Sequence, residues 1–202
     1  MSTLSVGSLE GLAANSNVIS VPTGHKLNVA DAGALQMGGS GVGLVHISRT
    51  TIGTAVSSVT VSGAFSSDYD NYRILLHGIV PSANAGLTIR FGAIVSGYKF
   101  AGWLANYAGS SSGIGTASGT AIRLAAVDPV DLEGISADIY GPNLADKTNV
   151  TSLANYGSAT VGGVTMYAGV ETGSTQHTDF SIQLTTGTIT GGTIDVYGYA
   201  KA

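Results

Sequence analysis

The densest group of acids in the sequence is Asp128, Asp131 and Glu133. Two such carboxyls held about 5–10 Å apart across a sugar could hydrolyse a glycosidic bond. Pro129 lies among them, so the plainer reading is a solvated turn. Asp68, Asp70 and Asn71 offer hard oxygens of the kind calcium takes, yet the twelfth position counted from Asp68 is Ile79, where an EF-hand loop carries glutamate. These three are expected to cap the strand that starts at Tyr72. His25, His46, His77 and His177 stand singly, without a His-x-x-x-His spacing and without a Gly-x-Ser-x-Gly motif nearby. Of the four, His25 is the one that three copies meeting at an axis would gather into a proton- or metal-binding ring. Gly39-Ser-Gly41-Val-Gly43 looks like a phosphate cradle, but a β-type run follows it rather than Lys-Ser/Thr and a helix. It is expected to be a hinge. The sequence thus assigns no catalytic residue, no metal ligand and no cofactor.

The elements that would position any site are strands. Thirty glycines punctuate the chain at short intervals, and the runs between them alternate apolar with polar residues at a period of two. Such runs are 43–48, 58–62, 87–91, 180–184 and 193–199, with further strands expected near 98–103, 121–127, 135–140, 150–154 and 164–171. The run Tyr72–Val80 is apolar on both faces in its middle, which predicts a central strand covered on each side. About ten strands from residue 43 onward, at this spacing, predict an all-β protein: an antiparallel β-sandwich, jelly-roll-like. Pro81, Pro129 and Pro142 fall at expected strand ends, where a missing N–H costs no ladder bond. The stretch 108–119 is too rich in Gly and Ser for an element interior and predicts an exposed tip. Tyr107 beside it and Ser110, Ser111 and Ser112 within it are the candidate binding residues. The nearby Tyr98 and Trp103 are expected in the core.

Composition narrows the function. Charged residues make up 10% of the chain, against roughly 25% in ordinary soluble domains, while 44% of residues are hydrophobic and the mean hydropathy is +0.30. A surface this poor in charge is covered by copies of itself at modest desolvation cost, which favours oligomers. A net charge of −4 with scattered cations provides no basic stripe for nucleic acid. The absence of cysteine leaves neither disulfides nor thiolate metal sites to hold the fold. Residues 1–20 have neither a basic n-region nor an apolar h-region, and no apolar run approaches the roughly 20 residues that span a bilayer, so membrane insertion is not expected.

The division expected from these patterns is an N-terminal β arm, 1–42, followed by the sandwich, 43–202. The arm has no aromatic residue. A segment of about 40 residues rarely folds alone, so partners must order it. Val18, Ile19, Val21 and Leu27 are the side chains it would bury against those partners, whether two further copies or another protein's sheet edge.

Three stretches carry a family resemblance. Met1-Ser-Thr-Leu-Ser-Val-Gly-Ser-Leu9 followed by Asn17-Val-Ile-Ser-Val-Pro-Thr-Gly-His-Lys-Leu27 resembles the start of small virion structural proteins of tailed bacteriophages. Phe65-Ser-Ser-Asp-Tyr-Asp-Asn-Tyr-Arg-Ile74 is similar to a strand start in the β-sandwich of the same proteins. The resemblance covers about a fifth of the chain and implies a particle component, usually a tail fibre or structural protein. Composition and resemblance together predict a non-enzymatic homotrimer located in the virion. Its arm would dock on a tail or baseplate adaptor or on the major capsid protein, and its sandwich would contact a host cell-surface glycan. The alternative is a capsid decoration (cement) protein or head fibre that stabilises the shell. A carbohydrate-active enzyme using the acids near 128–138 stands third.

Overall fold

The structure, a computed structural model, describes residues 23, 43–53, 55–129, 133–157 and 162–201. The expected arm contacts Val18, Ile19, Val21 and Leu27, together with His25, lie outside the described residues. The chain divides between Gly38 and Gly39 into two units, and the fold below is that of the second.

Alternation decides the fold. In β3 (Asn71–Ile79), Tyr72, Ile74 and Leu76 are buried while Arg73, Leu75 and His77 point the other way. The eleven other strands are β1 (Leu44–Ile52), β2 (Ser58–Val61), β4 (Ala85–Phe91), β5 (Tyr98–Asn106), β6 (Ser111–Gly119), β7 (Ile122–Val127), β8 (Glu133–Tyr140), β9 (Thr148–Gly157), β10 (Gly162–Glu171), β11 (Phe180–Leu184) and β12 (Gly192–Tyr199), of which β4 is buried and β6 exposed along most of its length. There is no helix among the described residues. Every strand pairing is antiparallel. Eight strands form one sheet in the order β1-β12-β3-β8-β9-β10-β5-β6, and four form the other in the order β2-β11-β4-β7. The two sheets pack as a β-sandwich, and β1 to β4 pass from one to the other at each step.

Two hairpins, β5–β6 and β9–β10, enlarge the first sheet on one side. β7, the edge strand of the small sheet, packs over β9 and β10, and the β5–β6 hairpin extends past it. Across this junction the Ser152 hydroxyl on β9 donates to the Leu124 carbonyl on β7 at 2.7 Å.

The core is a single apolar layer with an aromatic end. Phe65 packs edge-on to Tyr72, with ring centroids 4.8 Å apart, and beside Phe180 at 5.6 Å. Phe91 adjoins both Phe65 and Tyr98. The two buried tyrosines tie down the loops beside them. The Tyr72 hydroxyl accepts from the Ser66 amide (2.7 Å) and donates to the Ser66 carbonyl (2.8 Å). The Tyr98 hydroxyl accepts from the Phe91 amide (2.9 Å) and donates to the Ile94 carbonyl (3.2 Å).

Three expectations need correction. The tip expected at 108–119 is mostly strand: Ser111 and Ser112 open β6, which pairs with β5 along its length. The physical reason is close approach at glycine. A Cβ on Gly115 would stand 2.9 Å from the Phe100 carbonyl oxygen, so only residues this small let β6 lie against β5. β3 is central in its sheet but covered on one face only, with Leu75 and His77 exposed. Trp103, expected in the core, is 52% exposed.

Tight packing between β10 and β7 has a measurable consequence. A Cβ on Gly169 would stand 2.6 Å from Ile122 Cγ2 and 2.8 Å from the Lys99 carbonyl oxygen, whereas one on Gly53 would meet nothing within 4 Å. Gly169→Ala should lower unfolding free energy by about 1–3 kcal/mol in urea titrations, and Gly53→Ala should cause no loss.

Candidate functional site

Cross-strand register lines up one row of side chains across the large sheet. Leu75 on β3 lies opposite Ser136 on β8, Ser136 opposite Leu153 on β9, Leu153 opposite Met166 on β10, Met166 opposite Trp103 on β5, and Trp103 opposite Gly113 on β6. Residues directly opposite share a face. Their sequence neighbours Leu76, Ile135, Ala154 and Thr165 are buried, so the row faces away from the core. Leu153, Met166 and Trp103 are each more than half exposed, and Val164 adjoins them. Gly113 has no side chain to lift the indole, whose six-membered ring lies 3.9 Å from where a Cβ would stand. Beside the row, Leu75, His77, Ser136, Leu153, Asn155 and Val164 line a shallow depression.

Charges border this row and are neutralised within the chain. The Arg73 guanidinium grips Asp138 with two bonds, Nε to Oδ1 at 2.8 Å and a terminal nitrogen to Oδ2 at 2.7 Å. The Tyr199 hydroxyl donates to the same carboxylate at 2.7 Å. Arg49 holds Asp195 in the same forked way at 2.6 and 3.0 Å, with His46 Nε2 at 3.5 Å. The bonds from Arg73 hold the Asp138 carboxyl below its ordinary range against the opposing effect of burial, and those from Arg49 do the same for Asp195. Burial, reinforced by the bond to Asp138, pushes the Tyr199 hydroxyl up to about 12.

A third polar group lies inside. Glu171, at the end of β10, and His177 are both almost fully buried, with Oε2 and Nε2 3.3 Å apart. The second carboxylate oxygen of Glu171 accepts from the Gly173 amide at 2.7 Å. The imidazole stacks on Phe91 at 5.3 Å, and the His177 backbone amide donates to the Pro142 carbonyl at 2.8 Å. The pair therefore fastens the loops after β8 and β10 to the aromatic end of the core.

The residues singled out by sequence are scattered. Tyr107, 64% exposed, and Ser110 sit at the β5–β6 turn, closed by Asn106, whose amide donates to the Ser110 carbonyl and whose side chain accepts from the Ser110 amide. Ser111 and Ser112 begin the edge strand itself. Asp68 takes a bond from the Ser66 hydroxyl, while Asp70 pairs with Lys201 at 2.8 Å, so the two acids turn to different partners. Asp131 and the Glu133 side chain lie outside the described residues. Among the described residues no three His, Cys, Asp or Glu side chains gather as metal ligands. Sequence reasoning missed the outward row. The parity of β5 could have revealed it, since burying Tyr98 and Phe100 turns Trp103 outward.

No family model matches the chain, and neither a curated protein nor a solved structure matches it.

Asp138 and Asp195 stay ionised in the fold at pH values where the unfolded chain is already protonated. Their stabilisation is complete above about pH 4 and is lost progressively as pH falls through and below that value. In urea unfolding between pH 7 and pH 3, Asp138→Asn and Asp195→Asn should each flatten the acid loss of stability, and unchanged slopes would contradict the assignment. At the buried pair, Glu171→Ala or His177→Ala should cost about 3 kcal/mol or more, because each strands its partner in the core. The double variant should cost clearly less than the sum of the two.

Proposed function

We propose that the chain is a non-enzymatic structural protein of a tailed bacteriophage virion, a homotrimeric tail fibre or spike. In this reading residues 1–42 attach it to another virion protein, and the sandwich projects toward the host surface. The observation that carries it is the outward row Leu75, Leu153, Met166 and Trp103. An exposed apolar stripe on a sheet face marks a contact surface. Its Trp and Met content and the absence of charge along it match the core of a protein interface, with Arg73–Asp138 and Arg49–Asp195 as a polar border already neutral in itself. A neutral, self-satisfied border suits contact between identical copies, and we assign the row to that role.

The strand order supports the same reading. Taken without the two added hairpins, we read β1-β12-β3-β8 against β2-β11-β4-β7 as jelly-roll-like, an architecture used in particle and lectin-like proteins. The turn bearing Tyr107 and Ser110 is the tip we assign to the host glycan. A capsid decoration protein or head fibre is the second reading. The breadth of the eight-stranded sheet favours it, since a wide face with few unpaired charges suits lying along a shell. No reaction is assigned.

Light scattering on the purified chain should give a particle of three 20.2 kDa chains. A monomer at micromolar concentration would contradict the trimer, and Trp103→Asp with Met166→Asp should dissociate it. Deleting residues 2–42 should abolish incorporation into particles. Adsorption of the purified protein to host cells supports the fibre, whereas loss of shell stability without loss of adsorption supports decoration.

A further inference from the structure

The chain has four arginines, and they divide into two kinds. Arg49 and Arg73 each hold a carboxylate with a forked pair of bonds. Arg90 and Arg123 hold none among the described residues. Arg90 Nε donates to the Thr120 carbonyl at 3.0 Å, and Arg123 Nε donates to the Ala125 carbonyl at 3.4 Å. No acceptor among the described residues takes the terminal nitrogens of either group. Both arginines line one cavity of about 430 Å³, where the outer face of β4, β7 and β11 meets the β5–β6 hairpin.

Register explains the meeting. Gln183, Thr88 and Arg123 lie opposite one another across β11, β4 and β7, and Arg90 lies two residues along the same face of β4. The guanidinium of Arg123 is held in place on two sides. The Tyr167 ring lies under it at 5.7 Å, and a Cβ on Gly86 would stand 2.9 Å from its central carbon, so glycine there makes the room. The hydroxyl of Thr88 is used on the Gln183 carbonyl (3.1 Å), and that of Thr185 accepts from the Gly86 amide (2.9 Å). The Gln183 amide and the Phe100 ring complete the wall. Asp128, the acid nearest along β7, borders the adjoining depression together with Arg123.

Such a cavity has a definite chemical preference. Planar guanidinium forks match carboxylate and phosphate oxygens, and two forks with free terminal donors in one recess favour a single anionic group between them. An amide, a hydroxyl and an aromatic face beside that group suit the hydroxyls and C–H face of a sugar ring, and the volume is in the range of small-molecule sites. We propose that this cavity binds the acid group of an anionic saccharide, either the carboxylate of a uronic acid or the phosphate of a sugar phosphate. The site lies on the opposite sheet from the apolar row and does not depend on the fibre reading.

The test is an amide chemical-shift titration of the full chain with sodium glucuronate, glucose 6-phosphate, glucose and inorganic phosphate, at ionic strength matched with sodium chloride. Saturable shifts at residues 88–90, 121–123 and 183–185 with glucuronate or glucose 6-phosphate are expected, and whichever binds tighter identifies the acid. Arg90→Gln and Arg123→Gln should each weaken binding about tenfold or more, and glucose should give no saturable response. If either variant fails to fold, Arg90→Lys and Arg123→Lys, which keep the charge and lose the fork, should still weaken binding severalfold in a native spectrum. No saturable response to either acid sugar, or an equal response in the double variant, would overturn the site. Inorganic phosphate binding as tightly as glucose 6-phosphate would overturn the saccharide assignment.

Discussion

The apolar layer between the two sheets draws on nearly every described strand: Ile89 and Phe91 from β4, Ile122 and Leu124 from β7, Ile74 and Leu76 from β3, Ile139 from β8, Phe180 and Ile182 from β11, Val196 from β12. Burial of this one layer is the main favourable term available to the fold, since there is no disulfide to assist and the charged residues are few. It also fixes what the outward faces can be. Strand residues come in two parities, so once Tyr98, Tyr72 and Ile135 are committed to the core, the residues between them are committed to the surface. The apolar row and the two-arginine cavity are therefore both consequences of how the core was filled.

The charged residues that remain are used economically. Two arginines and two aspartates neutralise one another on the large sheet, and Glu171 and His177 are paired inside it. This leaves the large face nearly free of net field, so contact there is selected by shape and apolar area rather than by electrostatic steering. The small sheet is the reverse, with two arginines that hold no carboxylate among the described residues set among hydroxyls and an amide. The molecule thus presents two faces of opposite recognition chemistry, separated by the thickness of one core.

Much of the architecture was legible in the sequence, because period-two patterns bounded by Gly, Asn and Ser are the direct signature of antiparallel strands. β6 was not. Ser111–Gly119 has one large apolar residue, Ile114, and reads as flexible. It becomes a strand because its glycines allow contact with β5, a tertiary effect that outweighs local propensity. Leu75 misled in a different way. An apolar residue flanked by apolar residues signals burial, but the pattern is the same whether the cover belongs to the chain's own core or to a contact surface. The functional pairs were hidden by distance: Arg49 and Asp195 lie 146 residues apart and Arg73 and Asp138 lie 65 apart, and only the strand order brings them together. Glu171 and His177 are six apart, yet no strand or helix period relates them, since the first ends β10 and the second lies in the loop beyond it.

One feature of the topology governs how the protein comes into being. β12, synthesised after the other eleven strands, lies between β1 and β3, which are among the first. While the chain is still emerging from the ribosome, β1 lacks its neighbour and β3 is open along one side. Each offers a row of unpaired amides and carbonyls for a wrong partner. Long-range closures of this kind are slow, because the intervening loop must be gathered before any bond is gained. The large sheet is completed only after translation has passed Tyr199. Until then the nascent sandwich is held in register by the small sheet and by the part of the large one that needs no β12, the run β3-β8-β9-β10-β5-β6, and synthesis rate and chaperone cover become part of what determines the yield of native protein.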